Sequence, residues 1–134
     1  MKNLITLIFL LSFIICTKDS LSQPGKIDST FGQNGIVTNP IKVIGNSTIA
    51  STALQDDGKI VAAGSIGMGC EYYFALARYN NDGNLDYTFG TGGIVITEIG
   101  NTAMARSVVI QSDGKIVIGG TSSDDFSNDF TLVR

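Results

Sequence analysis

The chain has 134 residues, of which 43% are apolar and 16 are glycine, and its formal net charge at pH 7 is −3. This mild acidity argues against a nucleic-acid-binding protein, which needs a basic surface. With no histidine and two cysteines, the chain lacks the commonest general base and cannot assemble a structural zinc site, so we predict no metal or other cofactor.

Residues 1–22 are predicted to be a secretory signal peptide. Lys2 precedes an apolar run over residues 4–15, which is too short to cross a bilayer because a spanning helix takes about 20 residues. Small residues predict cleavage after Ser22, and therefore a secreted or envelope protein whose mature chain has no transmembrane segment. The alternative is a lipoprotein anchored at Cys16. After cleavage at Ser22, Cys70 would be the single cysteine.

Beyond the leader, the sequence predicts short strands separated by turns, and no amphipathic helix. Strands are predicted over residues 26–37, 51–55, 59–65, 72–80 and 85–89, and residues 94–99 are predicted to cross to a further unit. Gly58 suits the positive φ of a hairpin turn. Residues 60–63 are apolar at consecutive positions, so we expect both faces of that strand to be covered. In an all-β chain the cover must be another sheet.

An internal repeat is the strongest signal in the sequence. Residues 28–37 recur 58 positions later as 86–95, while 55–61 and 74–78 recur 56 positions later as 111–117 and 130–134. A repeat longer than about 50 residues, built from short strands, predicts blades of a β-propeller. We predict an all-β fold of four-stranded antiparallel blades, with about two blades' worth of strands.

The predicted divisions follow this repeat. Residues 23–49 hold the fourth strand of one blade and a crossover, 50–104 a full four-stranded repeat, and 105–134 the first three strands of a truncated repeat.

The order of the repeated blocks resembles a known family. The patterns LDxTFGxxGxV, ALQxDGKIVxAG and FALARYNxDG, met between Lys26 and Arg134, are similar to the delta-60 repeat of exported bacterial proteins and more loosely to NHL propeller repeats. Departures are Ile27 in place of leucine, and Asp56 and Ser112 in place of proline. The resemblance implies a multi-blade propeller with a binding or scaffold role, and it implies no catalytic residues.

The predicted number of blades is smaller than a propeller needs, because propellers have about four to eight. Three explanations follow. The chain is the front of a longer protein, or several copies assemble and each lends its first strand to a neighbour, or two blades form a free sandwich. The third arrangement would leave long strand edges exposed to aggregation.

The residues that recur are predicted to be structural. They are Asp28, Thr30, Phe31, Gly32, Asp57, Gly58, Lys59, Arg78, Asp86, Thr88, Phe89, Gly90, Asp113, Gly114, Lys115 and Arg134. Arg78 lies on an otherwise apolar strand face, so we predict that it pairs with Asp86. Phe31 and Phe89 are predicted to wedge between blades. The spacing of the Asp-Gly pairs does not fit an EF-hand loop, and the glycine clusters precede strands, whereas a phosphate-binding loop opens a helix.

The residues that differ between repeats are the better candidates for ligand binding, because loops on a fixed scaffold carry specificity. The candidate ligand loops contain Met68, Glu71, Asp124, Asp125 and Asp129. We predict an exported, non-catalytic binding or scaffold module at the bacterial cell envelope or outside the cell, and we expect the chain to be a fragment of a longer propeller. Its expected partners are further blades, copies of itself, or a protein or polysaccharide outside the cell. The alternative is an extracellular hydrolase or lyase that uses loop carboxylates.

Overall fold

A computed structural model describes residues 25–41, 45–124 and 126–134. The predicted signal peptide, its cleavage after Ser22, the alternative lipid anchor at Cys16 and the candidate ligand residue Asp125 lie outside the described residues. In the part of the chain that is described, no helix is long and apolar enough to cross a membrane.

Seven antiparallel strands form two sheets. They are β1 (Ser47–Leu54), β2 (Ile60–Met68), β3 (Glu71–Tyr79), β4 (Ile94–Thr97), β5 (Thr102–Ile110), β6 (Ile116–Ser123) and β7 (Asn128–Val133). The first sheet has the strand order β1-β2-β3-β4 and the second the order β5-β6-β7. The described residues contain no helix. The predicted all-β fold with blades of up to four antiparallel strands is confirmed.

The two sheets repeat each other in detail. The turn between β1 and β2 closes with the amide of Gly58 on the carbonyl of Gln55, and its equivalent closes with Gly114 on Gln111, both at 2.9 Å. The two glycines have φ values of 82° and 79°, as the turn requires. Each first strand also carries a β-bulge at the same repeat position, between Ile49 and Ser51 in β1 and between residues 105 and 107 in β5.

Two of the predicted strands are wrong. Residues 85–89 make one bridge, from Leu85 to Tyr79, and then turn, and residues 26–37 also form turns. In both segments an aspartate carboxylate accepts the amide and hydroxyl of the threonine two residues later, which bends the chain out of the extended conformation. The fourth strand of the first sheet is instead β4, within the segment predicted to cross to the next unit.

The hydrophobic core lies between the two sheets. The first sheet contributes Val61, Ala63, Phe74 and Leu76 from the face that we call its rear face. The second contributes Ala103, Ala105, Val108 and Ile118 from its front face. Two hydrogen bonds of 3.0 Å also join the sheets, from the amide of Ala105 to Oγ of Ser65 and from the amide of Tyr72 to Oγ1 of Thr102.

The strand β2 is buried on both faces, as predicted. Every residue from Val61 to Gly67 is buried, so adjacent side chains that point in opposite directions are all covered. The prediction that another sheet covers each face holds only for the rear face, because the front face, which includes Ala62 and Gly64, lies behind residues 37–41, which belong to neither sheet.

The two sheets approach each other closely at Gly120. A Cβ atom built there would lie 2.2 Å from the carbonyl oxygen of Met104 and 2.7 Å from Cζ of Phe74. Only glycine therefore lets the ring of Phe74 reach the core.

We expect Phe74→Ala to lower the free energy of unfolding by about 3–5 kcal/mol, because it leaves a cavity where the side chain is now 1% exposed. The matched control is Phe126→Ala, whose side chain is 96% exposed and which should change stability by less than about 0.5 kcal/mol. Urea denaturation followed by circular dichroism measures both. Equal losses in the two variants would contradict a core centred on Phe74.

Candidate functional site

A buried carboxylate joins three segments of the first sheet. Oδ2 of Asp86 accepts hydrogen bonds from Nε of Arg78 at 2.8 Å and lies 3.0 Å from Nζ of Lys59. Its other oxygen, Oδ1, accepts the amide and hydroxyl of Thr88 at 3.1 and 2.6 Å. The predicted pairing of Arg78 with Asp86 is confirmed, whereas the participation of Lys59 was not foreseen.

The backbone brings these groups together. Arg78 lies near the end of β3 and opposite Val61, so Lys59, just before β2, lies beside it. The carbonyl of Arg78 accepts the amide of Asp86 at 2.7 Å, and its amide donates to the carbonyl of Gly93 at 3.0 Å. The long connection between β3 and β4 is thus fastened to β3 at its middle, by Asp86, and at its end, by Gly93.

An aromatic ring completes this cluster. The guanidinium carbon of Arg78 lies 4.5 Å from the centre of the Phe89 ring, within the range of a cation–π interaction. Phe89 also packs against the core between the sheets, which agrees with its predicted wedge position. Phe31, the equivalent residue in the N-terminal segment, is half-buried.

The electrostatics of the cluster fix the charge of Asp86. The hydroxyl of Thr88, followed by Lys59, holds the pKa of Asp86 well below its usual range. The carboxylate is therefore anionic at neutral pH.

The other copies of the motif are incomplete. Asp28 accepts the amide and hydroxyl of Thr30 at 2.9 and 2.6 Å, as Asp86 does with Thr88, but it lies on the surface. Lys115 pairs with Asp113. Within the described residues, no ion pair involves Asp28 or Arg134. Only the copy in the first sheet therefore has all its charges matched.

The first candidate ligand loop is the tight turn between β2 and β3. Met68 pairs with Glu71 across it, and Gly69 has a φ of 70°. The hydroxyl of Tyr73 donates to the carboxylate of Glu71, which raises the pKa of Tyr73 to about 12. Met68, Glu71 and the thiol of Cys70 are exposed.

The second candidate loop joins β6 to β7 and is held by its own side chains. Oδ1 of Asp124 accepts the amides of Phe126 and Ser127, both at 2.8 Å, and these bonds lower the pKa of Asp124. The hydroxyl of Ser127 donates to Asp129 at 2.8 Å. Among the described residues, no group of three acidic or cysteine side chains could hold a metal ion.

Two grooves border the N-terminal segment, and neither was predicted. An apolar one of about 280 Å³ runs along the front face of the first sheet, between residues 37–41 and the side chains of Ile49, Ala62 and Ala77. A more polar one of about 440 Å³ lies between the N-terminal turns and the β3–β4 connection, with Gln33, Asn39 and Asn84 in its lining. The segments that line each groove are far apart in the sequence.

Two segments of the chain are similar to a known protein family. Residues 55–89 and 111–134 match the model of a family described as "Domain of unknown function (DUF5122) beta-propeller". The chain carries repeats of the β-propeller type. The match covers the two segments that fold alike in the first and second sheets, and in these propeller repeats the Asp86 cluster holds the connection that leads to the fourth strand. No curated protein and no solved structure is significantly similar to the chain.

We expect Asp86→Asn to destabilise the protein at neutral pH but not in acid. A carboxylate with a lowered pKa contributes stability above its unfolded pKa of about 3.9, and the contribution disappears as the pH falls through the folded pKa. Asparagine can still cap the turn at Thr88, so the variant removes chiefly the charge. Urea midpoints should differ most at pH 7 and converge towards pH 2. A difference that did not depend on pH would contradict the ionic role.

Proposed function

We propose that this protein is an exported, non-catalytic β-propeller module that binds or scaffolds a partner at the bacterial cell envelope or outside the cell. One observation carries the proposal. In the first sheet the charged residues that recur between the repeats are engaged in holding the fold, whereas the turns that differ between repeats are exposed.

The cluster around Asp86 illustrates the first half of that observation. Its carboxylate accepts four hydrogen bonds or ion contacts from Arg78, Lys59 and Thr88 and is 4% exposed, so it has no free face towards a substrate. Recurrence of these residues is explained by the need to fasten the same connection in each repeat.

The two hairpin turns illustrate the second half. Both turns join the second and third strands of their sheets, so they project from the same end of the strands in the two stacked sheets. One presents Met68 and Glu71, and the other presents Asp124 and Phe126. Turns of different composition on a repeated scaffold are suited to selecting a ligand.

Export is supported by the sequence. The apolar run after Lys2 and the small residues before position 23 are typical of a cleaved secretory leader. The similarity of the repeats to the delta-60 type, which occurs in exported bacterial proteins, points in the same direction.

The alternative of a hydrolase or lyase would need loop carboxylates that are free to act on a substrate. Asp124 instead accepts two backbone amides of its own turn, and its pKa is lowered, so it is poorly suited to donate a proton. This favours the binding or scaffold role.

We expect the mature protein to begin at Gln23. Mass spectrometry of the intact protein, purified from the exporting bacterium, measures this directly. A lipid-modified N-terminal Cys16 would instead establish the lipoprotein alternative. An unprocessed Met1, with the protein retained in the cytoplasm, would contradict export.

We expect the exposed turns to bind an envelope polysaccharide, and peptidoglycan sacculi are a suitable first probe. In co-sedimentation, a Met68→Ser/Glu71→Gln variant should lose at least about tenfold in affinity, because it removes the apolar and charged contacts that the turn offers. The control is Ser112→Ala, in the turn between β5 and β6 at the opposite end of the strands. Unchanged binding by the turn variant, or hydrolysis of the polysaccharide that Asp124→Asn abolishes, would contradict the proposal.

A further inference from the structure

The second sheet exposes a face that its counterpart buries. We call the face that carries Val109, Val117, Gly119, Phe130 and Leu132 the rear face of the second sheet. In the first sheet Phe74 and Leu76 are 1% and 8% exposed, whereas their equivalents Phe130 and Leu132, 56 residues later, are 100% and 78% exposed. An apolar sheet face of this kind marks an interaction surface.

The chain also contains the surface that fits this face. The front face of the second sheet covers Phe74 with Ala105, Ile118 and Gly120, and the equivalents in the first sheet are Ile49, Ala62 and Gly64. The backbones match, because a Cβ on Gly64 would meet the carbonyl of Thr48 just as one on Gly120 would meet that of Met104.

The apolar groove on that front face corresponds to the space that Phe74 and Leu76 fill between the sheets. In the filled interface, Val95 and Ile99 pack against the core cluster that contains these two side chains. In the groove, Val37 and Ile41 line the wall, and they are equivalent to Val95 and Ile99 at the offset of 58. The residues that line the groove therefore match those around Phe74 and Leu76, so the groove suits a second phenylalanine and leucine.

The edge strand β7 and the segment of residues 36–39 also match each other. Residues 36–39 are the equivalents of β4, yet they lie outside both sheets. In the first sheet β4 pairs with β3, whereas β7, the equivalent of β3, is an edge of the second sheet. A strand formed by residues 36–39 would therefore complete the second sheet to four strands.

The charges complete the correspondence. Arg134 and Lys115 are equivalent to Arg78 and Lys59, and Asp28 is equivalent to Asp86. In the described residues Asp28 has its turn bonds to Thr30 but no cationic partner. The anion and the two cations that would form a second cluster are thus at opposite ends of the chain.

We propose that a second copy of this chain docks head to tail on the rear face of the second sheet. Residues 36–39 of one copy pair with β7 of the other, and Phe130 and Leu132 enter the apolar groove. Asp28 of the docked copy takes the position of Asp86, between Arg134 and Lys115. This inference concerns assembly and holds whether or not the exposed turns bind a polysaccharide.

Such a contact joins two different surfaces of the chain, and repeated contacts of this type close into a ring or extend into a filament. The described residues of each copy form two sheets, and contacts of this kind would add further blades to them.

The strand register gives the sharpest test. Ala75 lies opposite Ile96 between β3 and β4, so Thr131 of one copy should lie opposite Thr38 of the other. Opposite residues in an antiparallel pair have Cα atoms about 4.5–5.5 Å apart, which a disulfide can bridge. With Cys16 and Cys70 replaced by serine, Thr38→Cys/Thr131→Cys should form disulfide-linked multimers of the full chain under mild oxidation.

The matched control moves one cysteine by a single position. Asn39→Cys/Thr131→Cys places one side chain on the other face of the strand, so it should cross-link at least about tenfold less. Non-reducing electrophoresis separates the products. Absence of multimers, equal cross-linking in the control, or a disulfide within one copy would overturn the proposal.

The solution mass gives a second, independent test. Light scattering of the purified full chain should give the mass of at least two copies at micromolar concentration. Phe130→Ser should reduce it to one copy, whereas Phe126→Ser, an exposed phenylalanine outside the interface, should not. Asp28→Arg and Arg134→Asp should each weaken assembly and together restore it in part. A monomeric parent chain, or assembly unaffected by Phe130→Ser, would overturn the proposal.

Discussion

The structure depends on the burial of one sheet against the next. The ring of Phe74 reaches the core because Gly120 leaves its space open, and the polar contacts from Ser65 and Thr102 hold the two sheets at that distance. A single twisted sheet of this composition would expose two apolar faces to water, at a cost of roughly 25 cal/mol for each square ångström. Stacking is therefore a condition of folding for each repeat, as in other repeat proteins.

The Asp86 cluster stabilises the long connection between the third and fourth strands of the first sheet. A loop of 14 residues between β3 and β4 would lose much conformational entropy on closing. Asp86 opposes that loss by binding Arg78 and Lys59 while its other oxygen caps the turn at Thr88. Because the charges of this cluster are satisfied inside the fold, the recurrence of these residues is explained by a structural contact.

The core between the sheets and the Asp86 cluster do not engage the exposed turns or the outer faces of the two sheets. We propose that the turns at one end of the strands, which lie outside the core and the Asp86 cluster, select the ligand. In the same proposal, assembly uses the faces at the two ends of the stack. The rear face of the second sheet and the front face of the first are unlike each other, and complementary surfaces of this sort favour a directed, head-to-tail contact over a symmetric one.

The sequence by itself determined the repeat, the hairpin turns at Gly58 and Gly114, the burial of β2 on both faces and the pairing of Arg78 with Asp86. Each of these follows from local pattern or from a charge on an apolar face. It did not locate the fourth strand, because the alternation near Leu85 does not reveal that Thr88 will bend the chain, and β4 is defined by hydrogen bonds to β3. The two grooves and the contrast between Phe74 and Phe130 were decided by tertiary structure alone, since identical residues at equivalent positions differ only in whether another sheet lies against them.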